Sequence, residues 1–208
     1  MLAFTVMSIA QDGKVTIRGF EMRTGDILFQ AFEPSGYASA IESVSDGWGG
    51  YAFSHVGVAY IENGNAFVLE AIPYGVSKTP IETFLRKSRQ INGRPAVAVA
   101  RLKKKYRKAI PDAISTMLSL IGKRYDFVFD PSNDMYYCSE IIEIAFRHRN
   151  KPIFDSAPMS FKDKQSGELN PYWIKHFEMH KGKIPEGVPG TNPSDMSKSP
   201  KLKIIHTF

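Results

Sequence analysis

Apolar positions along this chain fall into short bursts whose period switches between strand-like and helix-like. Asp26 to Gln30 holds a continuous apolar run, the pattern of a short strand covered on both faces. Ser35 to Val44 then reads as helical, with Ala38, Ile41 and Val44 on one stripe, before the loose loop Asp46-Gly47-Trp48-Gly49-Gly50-Tyr51. Phe53 to Ile61 and Ala66 to Ile72 are β-rich runs on either side of Asn63-Gly64, the strongest short-range hairpin signal. With Asn63 and Gly64 in the turn, paired residues have numbers that sum to 127, so Gly57 faces Glu70 and His55 faces Ile72.

Downstream, Thr79-Pro80-Ile81-Glu82 has the form of a capping box with Pro at the first helical position, predicting a helix through about Arg86. Ala96 to Leu102 reads as a core strand. A helix is expected from about Ala109 to Ile121, with Ile114, Met117, Leu118 and Ile121 inward and Gly122 ending it. Ile141, Ile142, Ala145 and Phe146 recur at helical spacing behind Tyr136-Tyr137-Cys138-Ser139-Glu140, which puts Cys138 in a first helical turn. The Pro- and Gly-bearing stretch from Ile184 to Pro200 reads as a surface excursion before a last strand, Leu202 to His206. No internal repeat interrupts this mixed α+β layout.

With 208 residues, 43% of them hydrophobic, the chain can bury a core without disulfides, as one domain over residues 1–208 with its core at 25–150. A single cysteine excludes an intramolecular bridge and leaves the compartment unread. No apolar run reaches the length of a transmembrane span. Met1 to Ala10 fits two readings, a signal-peptide remnant that implies the cell envelope or secretion, or an edge strand on Lys14 to Arg18 in a cytoplasmic protein. The net charge of +6 is densest from Arg101 to Lys108. A solvated strand-to-helix connection is the favoured reading there, and contact with an anionic surface such as phospholipid or cell-wall polymer is the functional one. No nucleic-acid motif accompanies the charge. His176 and His180 are spaced i,i+4 without a third ligand, so neither metal nor cofactor is expected.

The chemistry concentrates on Cys138. A helix N-terminus stabilises negative charge through its unpaired N–H groups, and a thiol there is activated further by a nearby cation. Alone, such a residue is equally a small buried hydrophobe. The hairpin register adds partners. His55 and Glu70 project from one face as diagonal neighbours, so the carboxylate is placed to fix an imidazole tautomer and stabilise the imidazolium. Nucleophile, base and orienter together form the logic of Cys-His-acid catalysis.

Gly25-Asp26-Ile27-Leu28-Phe29-Gln30, Ser54-His55-Val56-Gly57-Val58, Val68-Leu69-Glu70-Ala71 and Tyr137-Cys138-Ser139-Glu140 occur in an order that resembles the permuted papain-like amidases of the YiiX type. These are relatives of the NlpC-type cell-wall peptidases and, more distantly, of lecithin:retinol acyltransferase. Gly122-Lys123-Arg124-Tyr125, thirteen residues before Cys138, also resembles the family's Gly-x-x-Tyr approach. The resemblance implies an α+β, circularly permuted papain-like (NlpC-like) fold, an antiparallel sheet with packed helices. It implies amide hydrolysis by Cys138, His55 and Glu70, with Tyr125 or the Cys138 N–H at the oxyanion; Trp48, from the loop that enters the His55 strand, and Ser54, Asp26 and Ser139 are the candidate substrate contacts. The substrate expected is a small peptide or amino-acid conjugate such as a cell-wall stem peptide. Lipid acyl hydrolysis or transfer is the enzymatic rival, favoured by a long apolar channel beside Cys138, and a binding module on the same fold is the third reading. The segment lacks the Asp-Cys-Ser-Gly signature of the cell-wall branch.

Overall fold

The computed structural model describes residues 13–208. Its centre is a six-stranded antiparallel sheet built from β1 (Ile27–Gln30), β2 (His55–Glu62), β3 (Asn65–Ile72), β4 (Gly75–Pro80), β5 (Val97–Leu102) and β6 (Leu202–Thr207). The strands lie side by side in the order β6-β5-β1-β2-β3-β4. Six helices accompany them among the described residues: α1 (Gly36–Val44), α2 (Ile81–Arg86), α3 (Ile110–Ser119), α4 (Cys138–Ala145), α5 (Pro171–Met179) and α6 (Pro193–Ser197).

The continuous apolar run of β1 is explained by burial on both faces. Ile27 and Phe29 join the larger core, which includes residues of α1, α3, α4, α5 and α6. Leu28 points the other way, into a second core closed by α2 and by the hairpin that pairs Lys14–Ile17 with Phe20–Arg23. Burying both faces removes apolar area from water twice per strand, the main favourable contribution to folding. The β2–β3 register keeps the sum of 127 from Val58↔Leu69 to Glu62↔Asn65. Asn63 and Gly64 both take positive φ, 52° and 74°, as the two-residue turn requires.

Three expectations are corrected. Thr79 does not cap α2. It lies in β4 opposite Val68, Pro80 is the N-cap, and no side-chain cap bond forms. The sheet ladder holds Thr79 extended, which takes it out of a capping position. Next, α3 ends at Ser119 and Ile121 is exposed, because the chain turns there so that the Gly122 N–H can donate to Val76 O at 2.9 Å. Finally, the stretch from Ile184 to Pro200 is no mere surface excursion. Gly190, Pro193, Ser194, Met196 and Ser197 are buried. Asn192 caps α6 by accepting the Asp195 N–H at 2.8 Å, and Ser194 Oγ accepts the Phe53 N–H at 2.9 Å, which draws the segment onto the core. The signal or edge-strand reading of Met1 to Ala10 lies outside the described residues.

Candidate active site

Cys138 is the first residue of α4, behind Tyr137 in extended conformation (φ −99°, ψ 170°). The chain folds this way because Glu140 Oε2 accepts the Tyr137 N–H at 3.2 Å, while Ile141 and Ile142 are fully buried against the core. Burial pushes the Glu140 carboxyl up to about 8, against the Tyr137 N–H, which lowers it. That carboxyl is thus largely neutral at pH 7, and its charge is kept away from the thiol two residues upstream.

α4 packs against β2 and β3, and the Cys138 thiol meets the ring of His55, the first residue of β2. His55 Nε2 lies 2.6 Å from Glu70 Oε2, and both side chains are buried. With Nε2 committed to the carboxylate, Nδ1 is left for the sulfur. Burial opposes charging the imidazole, but the hydrogen bond with Cys138 and then the Glu70 carboxylate outweigh it and raise His55 to about 9. Glu70 shows the converse. Burial alone would raise it, yet His55, and to a smaller extent the Thr79 hydroxyl, hold it below the usual carboxylate range.

Gly57 makes this diagonal contact possible. A Cβ there would collide with Val68 Cγ1 and lie 3.3 Å from the Glu70 Cβ, in the lane through which Glu70 leans toward His55. Phe32 stacks on the imidazole at 5.2 Å between ring centroids. Ser54 holds that loop, its Oγ accepting the Phe32 N–H at 3.0 Å. Ser54 therefore steadies the base's surroundings rather than lining the cavity at Cys138.

Tyr125 is buried beside Cys138, and its hydroxyl lies 2.9 Å from the hydroxyl of Tyr37, from α1. Burial pushes both phenols well above the ordinary tyrosine range, and the charge of Cys138 adds to it. Both remain protonated. Two hydroxyls that share one hydrogen bond retain a second O–H for a ligand oxygen.

Cys138 also borders a cavity of about 310 Å³, at the small end of ligand-binding sites. Its walls include Ile41, Phe129, Met159, Trp173 and Met196, and none of its lining residues is Lys or Arg. Ser139 lines it and donates to Thr191 O at 3.0 Å. The stretch from Gly190 to Pro200, which patterning gave no reason to place here, forms one side. The Asn-Pro-x-Asp cap of α6 was its one legible signal.

Two expected contacts lie elsewhere. Trp48 is not among the cavity's walls. Gly49 and Gly50, both at positive φ, turn it outward onto Tyr51, with 3° between the ring planes, and α6 takes the wall position instead. Asp26 adjoins the far end of β1 from Gln30, the partner of His55. Its carboxylate is held by Arg101 at 2.6 and 2.7 Å and by the Arg23 N–H at 2.8 Å, which ties β5 to β1. His176 Nε2 lies 2.7 Å from Phe127 O, and among the described residues no cluster of three or more His, Cys, Asp or Glu is set to hold a metal ion.

Known proteins share this sequence pattern and fold. A family model described as permuted papain-like amidase enzyme, YaeF/YiiX, C92 family, matches residues 21–206. The uncharacterized protein YiiX of Escherichia coli (strain K12) is 28% identical over 130 residues, 59% of this chain. The match spans 56% of that relative's length. A crystal structure described as metalloprotein YiiX from Escherichia coli O157:H7 superposes with a TM-score of 0.71 at 24% identity, covering 89% of this chain and 97% of that one. At that identity the likeness is one of fold.

Proposed function

Since the chain belongs to the permuted papain-like amidases of the YaeF/YiiX, C92 family, we propose that it is a cysteine amidase working through Cys138, His55 and Glu70. The observation that carries this reading is the buried His55–Glu70 bond of 2.6 Å between β2 and β3, against which the helix that begins with Cys138 packs. Below about pH 9 His55 holds a proton, which puts a cation beside the nucleophilic sulfur of Cys138. The thiolate attacks the amide carbonyl carbon, and the oxygen takes up the negative charge. The Cys138 N–H at the start of α4, together with an O–H of the Tyr37–Tyr125 pair, is suited to stabilise it. His55 gives its proton to the departing amine, leaving a thioester on Cys138. Water then gives a proton to His55 as it attacks the thioester carbonyl, which releases the acid and restores the thiol pair. Glu70 touches no reacting atom. It holds the ring and favours its charged form.

The substrate in this reading is a small peptide or amino-acid conjugate whose acyl side is apolar, since no Lys or Arg lines the cavity to meet a carboxylate. The same apolar walls favour a second reading, the cleavage or transfer of a lipid acyl group. Turnover of stem peptides, N-acyl amino acids and phospholipids by purified protein, with Cys138→Ala as control, separates the two. The amidase reading fails if no amide is cleaved while a phospholipid ester is, and both fail if Cys138→Ala keeps the rate.

A further inference from the structure

The basic run at residues 103–108 does not stand alone on the surface. It folds into a short helical turn, Lys104–Ala109, that packs against Arg147–His148, the strand paired with Lys151–Pro152, with the Tyr106 ring edge-on to His148 at 5.4 Å. Five exposed basic side chains from residues 103–108 therefore meet three more from residues 147–151. None of the eight makes a salt bridge among the described residues. Their distribution is lopsided. Eight of the chain's 27 Lys and Arg gather in two short segments, residues 103–108 and 147–151, neither of which contains an Asp or Glu. Such clustering produces a field that orients the molecule as well as attracting a polyanion.

We propose that this face docks the protein on an anionic phospholipid bilayer. Two features favour a bilayer over nucleic acid. The aromatic ring within the patch, Tyr106, is packed against His148 and covered by Lys105 at 5.3 Å, so it offers no open face on which a base could stack. Ile144, three residues before Arg147, is exposed and apolar, which suits the headgroup boundary rather than a phosphate backbone. The face also adjoins the cavity. The Lys103 N–H donates to Lys201 O at 3.0 Å, Lys201 Nζ binds Asp155 at 2.7 Å, and Asp155, Ser199 and Pro200 line the cavity. A molecule seated on this face would hold the cavity near the lipid surface. The inference goes beyond the catalytic reading and does not depend on it.

Flotation with vesicles tests it, using phosphatidylcholine alone or with roughly a third phosphatidylglycerol, at low and high salt. The native protein should float with the anionic vesicles only, and high salt should release it. Lys103→Glu with Lys105→Glu, Arg107→Glu and Lys108→Glu should weaken binding by roughly a hundredfold, since each surface cation contributes a severalfold factor. Lys162, Lys175, Lys181 and Lys183, each changed to Glu, give the same change in net charge in a different segment of the chain and should leave binding within about twofold. Cys138→Ala should bind like the native protein, which keeps this test separate from that of catalysis. A face variant that no longer melts cooperatively is replaced by Arg147→Glu with Arg149→Glu and Lys151→Glu, for which the same factor per cation gives a loss of roughly thirtyfold. Equal binding to neutral vesicles, equal loss in the two charge-matched sets, or tighter binding to duplex DNA than to anionic vesicles at the same salt would each overturn the proposal.

Discussion

His55 Nε2 and Glu70 Oε2 stand 2.6 Å apart in a setting that leaves about 5% and 3% of the two side chains exposed. A charged pair so dry has consequences that can be measured at both of its ends.

The first is stability against pH. The folded-state pKa of His55 is raised above the 6.5 of a free imidazole to about 9, so its contribution is fully present below 6.5 and is lost as pH rises through 9. Glu70 is lowered, so its contribution is present above the ordinary carboxylate pKa of 4.5 and is lost as pH falls below it. Urea midpoints should therefore be highest between about pH 4.5 and 6.5, where both contributions are full, and should decline from there toward pH 9. Glu70→Ala should cost about 3–5 kcal/mol at pH 7, because it leaves a buried imidazolium without its partner. Equal midpoints for the native and Glu70→Ala proteins at pH 7 would count against a dry ion pair.

Thiol reactivity reports the other end. Iodoacetamide should label one site and remain fast at pH 6, where an ordinary thiol is mostly protonated and His55 here is still charged. His55→Ala should return the rate profile to that of a free thiol, with its rise near pH 8.5. A native profile already rising only near 8.5 would remove the activated nucleophile.

Kinetics separate the three roles. Cys138→Ala and His55→Ala should reach the same floor, since nucleophile and base act as a unit. Glu70→Gln keeps a hydrogen bond to His55 without the charge and should retain measurable turnover, reduced by about 10²-fold or more. A dead Glu70→Gln beside an active Cys138→Ala would make the carboxylate the reacting group.

The phenol pair gives a further ranking. Tyr125→Phe should lower kcat by about 10²–10³-fold with little change in KM, the mark of an oxyanion donor. Tyr37→Phe should lose less than about tenfold, since a Tyr125 O–H survives it. The reverse order would identify Tyr37 as the donor.

At Gly57, a methyl group would press on Val68 and Glu70 together. Gly57→Ala should cost about 1–3 kcal/mol from overpacking. Its thiol should also lose the fast labelling at pH 6, which a purely structural defect would leave intact in the folded fraction.

Much of this site could be read from local pattern. Asn63-Gly64 fixed the β2–β3 register, and through it the diagonal of His55 and Glu70, because a two-residue turn allows one pairing. The apolar spacing after Tyr137 likewise put Cys138 at a helix start. Other features depend on contacts that no local window contains. Thr79 had the sequence of a helix cap, yet the ladder to Val68 claimed its backbone. Tyr37 and Met196 reach the cavity only because α1 and α6, more than 140 residues apart in the chain, close on the same helix start. Asp26 lay in a matching block, but its role depends on Arg101, a partner 75 residues away.

The segment that walls the cavity, Gly190 to Pro200, contributes no atom to the Cys138–His55–Glu70 set. What the thiol can do and what it is shown are therefore inherited on different stretches of one chain. Exchanging that segment between relatives would retune molecular preference while leaving the reactive machinery as it stands, a division of labour through which one scaffold can diversify.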